Sequence, residues 1–224
     1  MMHLMQLALF DLDHTLLTGD TDVLWCDFLM NAGLLERDVF GPRNVEMERG
    51  YQAGTVSKEA FAGFFVSTLA GKTLQAWEPW RQRFLHEVIV PRIPKEARAL
   101  VRQHQDAGHT VVMTTATNRV LTELTAQELS IGHLIATECE VDVQGVYTGR
   151  ISGVINMREG KVERLHHWLA QQGWPLDHCH CVAYSDSIND LPLLEWAHEA
   201  IAVDPDPKLR ALAEARGWHV LRWR

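Results

Sequence analysis

Four short polar clusters hold the residues able to do chemistry. The first is Phe10-Asp11-Leu12-Asp13-His14-Thr15-Leu16, at the end of an apolar run. Side chains at i and i+2 of a strand point the same way, so Asp11 and Asp13 face one region if the strand runs through them. Two carboxylates about 5 Å apart repel by roughly 3 kcal/mol at an effective dielectric near 20. A proton, a cation or a lysine has to accompany them. The second cluster, Met113-Thr114-Thr115-Ala116-Thr117-Asn118, puts hydroxyls at a strand end before a helix start. Free backbone N–H groups and the helix dipole there favour an anion such as phosphate. The third, Arg158-Glu159-Gly160-Lys161-Val162, offers close backbone approach at Gly160 and a lysine in a first helical turn. In the fourth, Tyr184-Ser185-Asp186-Ser187-Ile188-Asn189-Asp190-Leu191-Pro192, two acids and an amide lie beside a strand end. Magnesium takes such carboxylate oxygens and leaves its other positions to water and substrate phosphate. Each cluster alone has an ordinary reading: loop acids, helix caps, β-propensity, a solvated lysine. Together, in this order and at strand ends, they argue for one site.

The elements that must position them follow from periodicity. Leu4 to Leu12 reads as a buried strand carrying its acids at the carboxyl end. From Leu17 to about Ile93 the pattern is helical, with Phe61, Phe65 and Leu69 on one face and Trp77, Trp80, Phe84 and Val88 on another. After Pro94 the texture changes. A helix to Ala107 precedes the strand Thr110 to Thr115 and a helix from Asn118 to Leu129. Leu134 to Thr137 is strand-like, and Val141 to Ile155 alternates around glycines as hairpins. Gly160 to Gln172 is a helix, Cys179 to Tyr184 a strand, and Pro192 to His198 a helix. The strand Ala200 to Val203, the helix Asp206 to Ala215 and an edge strand His219 to Leu221 complete the chain. Strands alternating with helices predict an α/β fold, a Rossmann-like doubly wound parallel sheet covered on both faces. Residues 1–16 and 94–224 form the expected α/β core, with 17–93 an all-helical insert. Ligands of such sheets bind beyond the carboxyl ends of the strands, where the four clusters fall.

Composition bounds the rest. At 224 residues the chain suits one domain with a modest insertion. Lys+Arg 21 against Asp+Glu 29 gives −8, the wrong sign for a non-specific binder of nucleic acid or an anionic membrane. Only five lysines are present: Lys58, Lys72, Lys95, Lys161 and Lys208. The four cysteines form no C-x-x-C pair or disulfide framework. The N-terminal segment lacks the basic start of a signal peptide. No uncharged apolar run reaches the roughly 18–20 residues that span a bilayer. The expectation is a soluble protein of a reducing cytoplasm, with no nucleic-acid or membrane partner.

With all four clusters in place, the sequence resembles the haloacid dehalogenase superfamily of phosphohydrolases, in its phosphoserine-phosphatase-like branch (subfamily IB). The resemblance covers essentially the whole chain. It implies a HAD core with a helical C1 cap, a Mg²⁺ cofactor and a small-molecule phosphate monoester as substrate. Asp11 would be the nucleophile that forms an aspartyl-phosphate. Asp13 would be the general acid and then the general base. Thr115 would donate to the phosphoryl group, Ala116 would flank it, and Lys161 would place a charge there. Asp11, the Asp13 carbonyl, Asp186 and Asp190 would hold the metal, and Asn189 would touch phosphate or metal-bound water. Phosphoserine phosphatases carry Gly-Gly where Ala116-Thr117 stand, and a Glu that reads the substrate amine where Asp20 stands. Histidinol phosphate and phosphoserine are the esters this implies.

Other readings fare less well. A P-loop needs a glycine where Ile155 stands and Ser or Thr where Val162 stands. A nicotinamide site lacks G-x-G-x-x-G. A receiver domain would be about half this length. A phosphomutase of the same fold and a non-catalytic phosphometabolite-binding module are the alternatives. His178-Cys179-His180-Cys181 reads as structural, because a strand would send the histidines to one face and the cysteines to the other. His14 fills a turn. Trp25, Arg49 and Tyr51 are candidates to line the pocket.

Overall fold

Alternation along two apolar runs fixes the centre of the molecule. The computed structural model describes residues 4–223. Its first strand, β1 (Met5–Phe10), turns Leu7 and Leu9 to one face and Ala8 and Phe10 to the other, all buried. Strand β5 (Cys179–Ser185) does the same, with Cys179, Cys181 and Ala183 on the first face and Val182 and Tyr184 on the second. Strands covered on both sides belong in the middle of a parallel sheet. The sheet also contains β2 (Thr110–Asn118), β3 (His133–Val141), β4 (Tyr147–Ser152), β6 (Glu199–Val203) and β7 (His219–Leu221). Its order is β4-β3-β2-β1-β5-β6-β7, parallel throughout except for the β3–β4 hairpin. The chain builds β2 and β3 on one side of β1, then returns to place β5 on the other. That reversal opens a crevice at the carboxyl end of β1.

Before the second strand come α1 (Thr21–Asn31), α2 (Arg37–Ala53), α3 (Lys58–Ser67) and α4 (Leu74–Phe84). A π-helical stretch (Leu85–Ile89) and a 3-10 turn (Val90–Arg92) follow. The Thr18 N–H donates to the Arg92 carbonyl at 2.9 Å, so this helical segment leaves and returns at one place. Helices α5 (Lys95–Asp106) and α6 (Arg119–Glu128) pack with α1 and α4 on the Phe10 face. Helices α7 (Glu159–Gln172), α8 (Leu191–Trp196) and α9 (Pro207–Arg216) cover the Leu9 face. A third apolar cluster joins Cys26, Phe61 and Phe65 of α1 and α3 to Ile155 and Met157, with Tyr51 of α2 against it. It seats α1 to α3 beside the segment that leads into α7.

The expected doubly wound α/β sheet is present, with three differences of detail. The first strand stops at Phe10, because the Leu12 carbonyl accepts from the N–H groups of Thr15, Leu16 and Leu17 and winds the chain into a turn. The glycine-rich stretch forms one hairpin, and its β3 arm is longer than the short apolar run suggests. Trp25 lines no pocket. It is fully buried against Phe28, Trp77 and Phe84, because an indole on the inner face of α1 gains more from aromatic packing than from the crevice.

Candidate active site

Asp11 is the first residue beyond β1, and its N–H continues the ladder to the Tyr184 carbonyl at 3.0 Å. Phe10 is level with Met113 on β2 and with Tyr184 on β5. The second and fourth clusters therefore flank Asp11 by register alone. Asp13 comes from the turn, not from strand alternation. Its Oδ1 accepts the N–H of Thr21 at 2.7 Å and the Thr21 hydroxyl, at the N-terminus of α1. Its Oδ2 accepts the Thr117 hydroxyl at 2.8 Å and that of Thr115 at 3.5 Å. A register shift between Thr115 and Asn118 bends the end of β2 and aims both hydroxyls at Asp13.

Lys161 supplies the positive charge. It is 2% exposed, and its Nζ donates to Asp11 Oδ1 at 2.7 Å and to Asp190 Oδ2 at 2.6 Å. The Ser185 hydroxyl holds the same Asp190 oxygen at 2.8 Å. Burial pulls the ammonium pKa down, but the two carboxylates outweigh it and the net direction is upward. Gly160 makes this placement feasible, since a Cβ there would stand 2.1 Å from the Ile155 carbonyl oxygen. Gly160→Ala is therefore expected to displace the first turn of α7, costing about 1–3 kcal/mol and at least tenfold in kcat. Melting curves and aryl-phosphate kinetics check this, and wild-type values for both would contradict it.

Thr15 ties the two ends of the chain together. Its hydroxyl accepts the Asp186 N–H at 3.0 Å, and its own proton lies between Asp11 Oδ2 at 3.1 Å and Asp186 Oδ1 at 3.2 Å. Burial, more than any other cause, raises the Asp11 carboxyl above its usual range; Lys161 opposes this, while Asp190 and Asp13 add to it. Asp186 is raised by burial and then by Asp11 and Asp190. Asp20 caps α1 through the Val23 N–H at 3.1 Å, and burial followed by the Asp13 charge pushes it up to about 8. Asp22 is buried beneath them and accepts from Asn118 at 3.2 Å. Asp11 and Asp190 thus pair with a single buried ammonium, Asp186 and Asp13 add charge beside Asp11, and Asp20 lies next to Asp13. An all-oxygen donor set with surplus negative charge fits a hard divalent cation. Its two adjacent carboxylates are the number Mg²⁺ uses when water and substrate fill the other positions. Among the described residues no three Asp, Glu, His or Cys side chains are grouped tightly enough to form an all-protein metal cage.

A cavity of about 30 Å³ lies directly on Asp11 and Asp13, walled by Ala116, Thr117, Phe61 and Tyr51. A larger one of about 460 Å³ adjoins it and shares His14, Asp20, Tyr51, Asp186 and Ser187 with it. Asn189 lines the larger cavity, its Oδ1 accepting from Arg158 Nε at 3.2 Å. Burial and then the charges of Asp190, Asp11 and Asp186 hold the Tyr51 phenol protonated. Tyr51 therefore lines the pocket as a neutral donor, whereas Arg49 is exposed and lines neither cavity. His14 occupies the left-handed region at φ 58° and faces both cavities from the turn.

Sequence reasoning gives no role to Thr15, Thr21, Thr117, Ser185 or Glu48. The threonines 15 and 117 sit inside the quoted motifs, and that position is the only signal that marks them.

A carboxylate, a paired lysine and a second acid meet at the reversal point of a doubly wound sheet, an arrangement suited to an anionic group. The profile of the haloacid dehalogenase-like hydrolases matches residues 8–195, and the chain belongs to that family. Within it the chain is a phosphatase of the phosphoserine-phosphatase-like branch. A histidinol-phosphatase of Neisseria meningitidis serogroup C (strain 8013) is 36% identical over 219 residues, 97% of this chain and 99% of that protein. Phosphoserine phosphatase SerB1 of Mycobacterium tuberculosis (strain ATCC 25618 / H37Rv) is 31% identical over 220 residues, 97% of this chain and 70% of that protein. The crystal structure of a protein of unknown function from Bordetella pertussis Tohama I superposes with a TM-score of 0.93 at 40% identity, covering 98% of this chain and 99% of that one. A substrate-bound phosphoserine phosphatase shares the fold at a TM-score of 0.69 and 20% identity, covering 97% and 92%. No helix among the described residues is long and apolar enough to cross a membrane.

Proposed function

We propose that the protein is a Mg²⁺-dependent phosphomonoesterase that transfers the phosphoryl group of a small amine-bearing ester to Asp11 and then to water. The observation that carries this is the Lys161 ammonium held between Asp11 and Asp190 while Thr15 binds Asp11 to Asp186. That arrangement orients one carboxylate oxygen and surrounds the phosphoryl position with positive charge and donors, most of what phosphoryl transfer requires.

Asp11 attacks phosphorus, and the bond to the leaving alcohol breaks. Asp13 gives that alcohol a proton and then takes one from the water that attacks the aspartyl-phosphate. The Thr117 hydroxyl on Asp13 Oδ2 suits both states, because a hydroxyl donates to a carboxylate and accepts from a carboxylic acid. Lys161, the Thr115 hydroxyl and the backbone at Ala116 neutralise the phosphoryl oxygens, and Asn189 binds at their margin. Asp11, Asp186 and the Asp13 carbonyl would hold the cation, with Asp190 supporting the set. When bound, the cation supplies further charge neutralisation to the phosphoryl oxygens. Residues 17–93 act as a cap over this site; α2 brings Tyr51 to the cavity on Asp11, which is where a closing element excludes water.

The Neisseria relative's name and that of SerB1 point to histidinol phosphate and phosphoserine, both amines, and the half-buried Asp20, which borders both cavities, supports an amine on the leaving group. Phosphate release from a panel of amino-alcohol, amino-acid, sugar and nucleotide monoesters tests the reading; no release from any of them would contradict it. EDTA is expected to abolish the activity and Mg²⁺ to restore it. Ca²⁺ should inhibit, because its looser coordination disturbs in-line attack. Full turnover in EDTA would remove the cation from the account.

A further inference from the structure

The larger cavity has walls of different character. On one side, α2 contributes Glu48 and Tyr51, with Asp20 beside them. On the other stand Arg158, Lys208, Asp204 and Asp206. Most charges of the second wall are engaged. Asp206 accepts the N–H groups of Ile188, Lys208 and Leu209, Asp204 accepts that of Trp223, and Arg158 is tied to Asn189. Glu48 differs. It is half-buried, and among the described residues it forms no hydrogen bond or ion pair. Its carboxylate stands near enough to Asp20 for the two to repel. Arg158 and Lys208 line the same cavity, but among the described residues neither is paired with Glu48.

Asp20 and Tyr51 border both this cavity and the small one on Asp11, so the α2 wall receives whatever extends from the phosphoryl position. A volume of about 460 Å³ lies within the range of small-molecule sites and exceeds what a serine-sized leaving group fills. A partly desolvated carboxylate without a partner favours a cation that donates hydrogen bonds and disfavours a second carboxylate. Tyr51 adds an aromatic ring, tilted against Phe61 with centroids 4.7 Å apart, beside which a flat or cationic group gains further contact.

We infer that Glu48 is a specificity-determining residue: it selects leaving groups that carry an ammonium or imidazolium and no carboxylate, so that amino-alcohol phosphates are preferred to amino-acid phosphates. The inference rests on the phosphomonoesterase reading and narrows it. Glu48 touches the far end of the leaving group and takes no part in the transfer itself. Its removal therefore alters KM for a cationic ester without altering kcat.

The test uses the full chain with Mg²⁺ and three esters: L-histidinol phosphate, L-phosphoserine and para-nitrophenyl phosphate, which has no charge on its leaving group. Wild type is expected to favour histidinol phosphate over phosphoserine in kcat/KM. Glu48→Gln should raise KM for histidinol phosphate about 10- to 100-fold, the range expected for losing a hydrogen bond to a charged group. It should leave kcat for that ester within twofold and the para-nitrophenyl phosphate kinetics unchanged, which also reports an intact fold. Glu48→Lys should shift the preference further, toward phosphoserine. The inference is overturned if wild type prefers phosphoserine, or if Glu48→Gln leaves the ratio of histidinol phosphate to para-nitrophenyl phosphate within twofold. Failure of wild type to hydrolyse any of the three would instead strike the phosphomonoesterase reading on which it rests.

Discussion

Asp11→Asn is expected to lower turnover of an aryl phosphate by about four orders of magnitude or more, the scale on which enzymes lose activity when their nucleophile is removed. The carboxamide keeps the shape of the side chain but has no anionic oxygen to attack phosphorus. The fold should tolerate the change. Lys161 retains its 2.6 Å partner Asp190, and the variant relieves the crowding that Asp11 shares with Asp186 and Asp190. The melting temperature without metal should therefore hold steady or rise while activity disappears. A variant with near-wild-type turnover would show that another group receives the phosphoryl.

Lys161→Met should damage both stability and activity. With the ammonium gone, Asp11 and Asp190 remain buried and close together without a counter-ion. Breaking a buried ion pair from one side costs about 3–5 kcal/mol, because the abandoned charge is neither solvated nor paired. The phosphoryl position loses its fixed cation as well, for an expected drop of about 10²–10³ in kcat. Lys161→Arg should rescue little. The site is 2% exposed and packed at Gly160 to one ammonium, and a planar guanidinium demands more room. Mg²⁺ should recover part of the lost stability, since a cation that binds only the folded state stabilises it by mass action. Thermal melts with and without Mg²⁺, run beside kinetics, check all three points. Wild-type stability together with wild-type activity in Lys161→Met would contradict this role.

Much of this site is legible in the sequence, because a parallel sheet converts order along the chain into proximity. Asp11 and Asp186 each follow a strand, Thr115 lies near the end of β2, and β1 lies between the other two strands, so three separate motifs meet. Lys161 follows Gly160, a position where any side chain would collide with the Ile155 carbonyl. Asp13 reaches the site by another route than expected: β1 ends at Phe10, and a turn with the N-terminus of α1 aims it. The hydroxyls of Thr15 and Thr117 stay hidden because their partners are 171 and 104 residues away, and hydroxyl spacing carries no signal of its own. Glu48 stays hidden for a related reason. It faces a cavity rather than a core, so no apolar stripe marks its side of α2. Trp25 shows the opposite error, where a large aromatic near the motif suggests a pocket wall and proves to be core.

The most direct test of the central claim is to find the phosphoryl group on the protein. Enzyme turning over para-nitrophenyl phosphate with Mg²⁺ is quenched in acid, reduced with borohydride and digested for peptide mass spectrometry. An acyl phosphate reduces to the alcohol, so position 11 is predicted to appear as homoserine, dependent on substrate and absent from Asp11→Asn. Phosphate on a serine, threonine or histidine, or continued turnover with Asp11 never modified, would contradict the account.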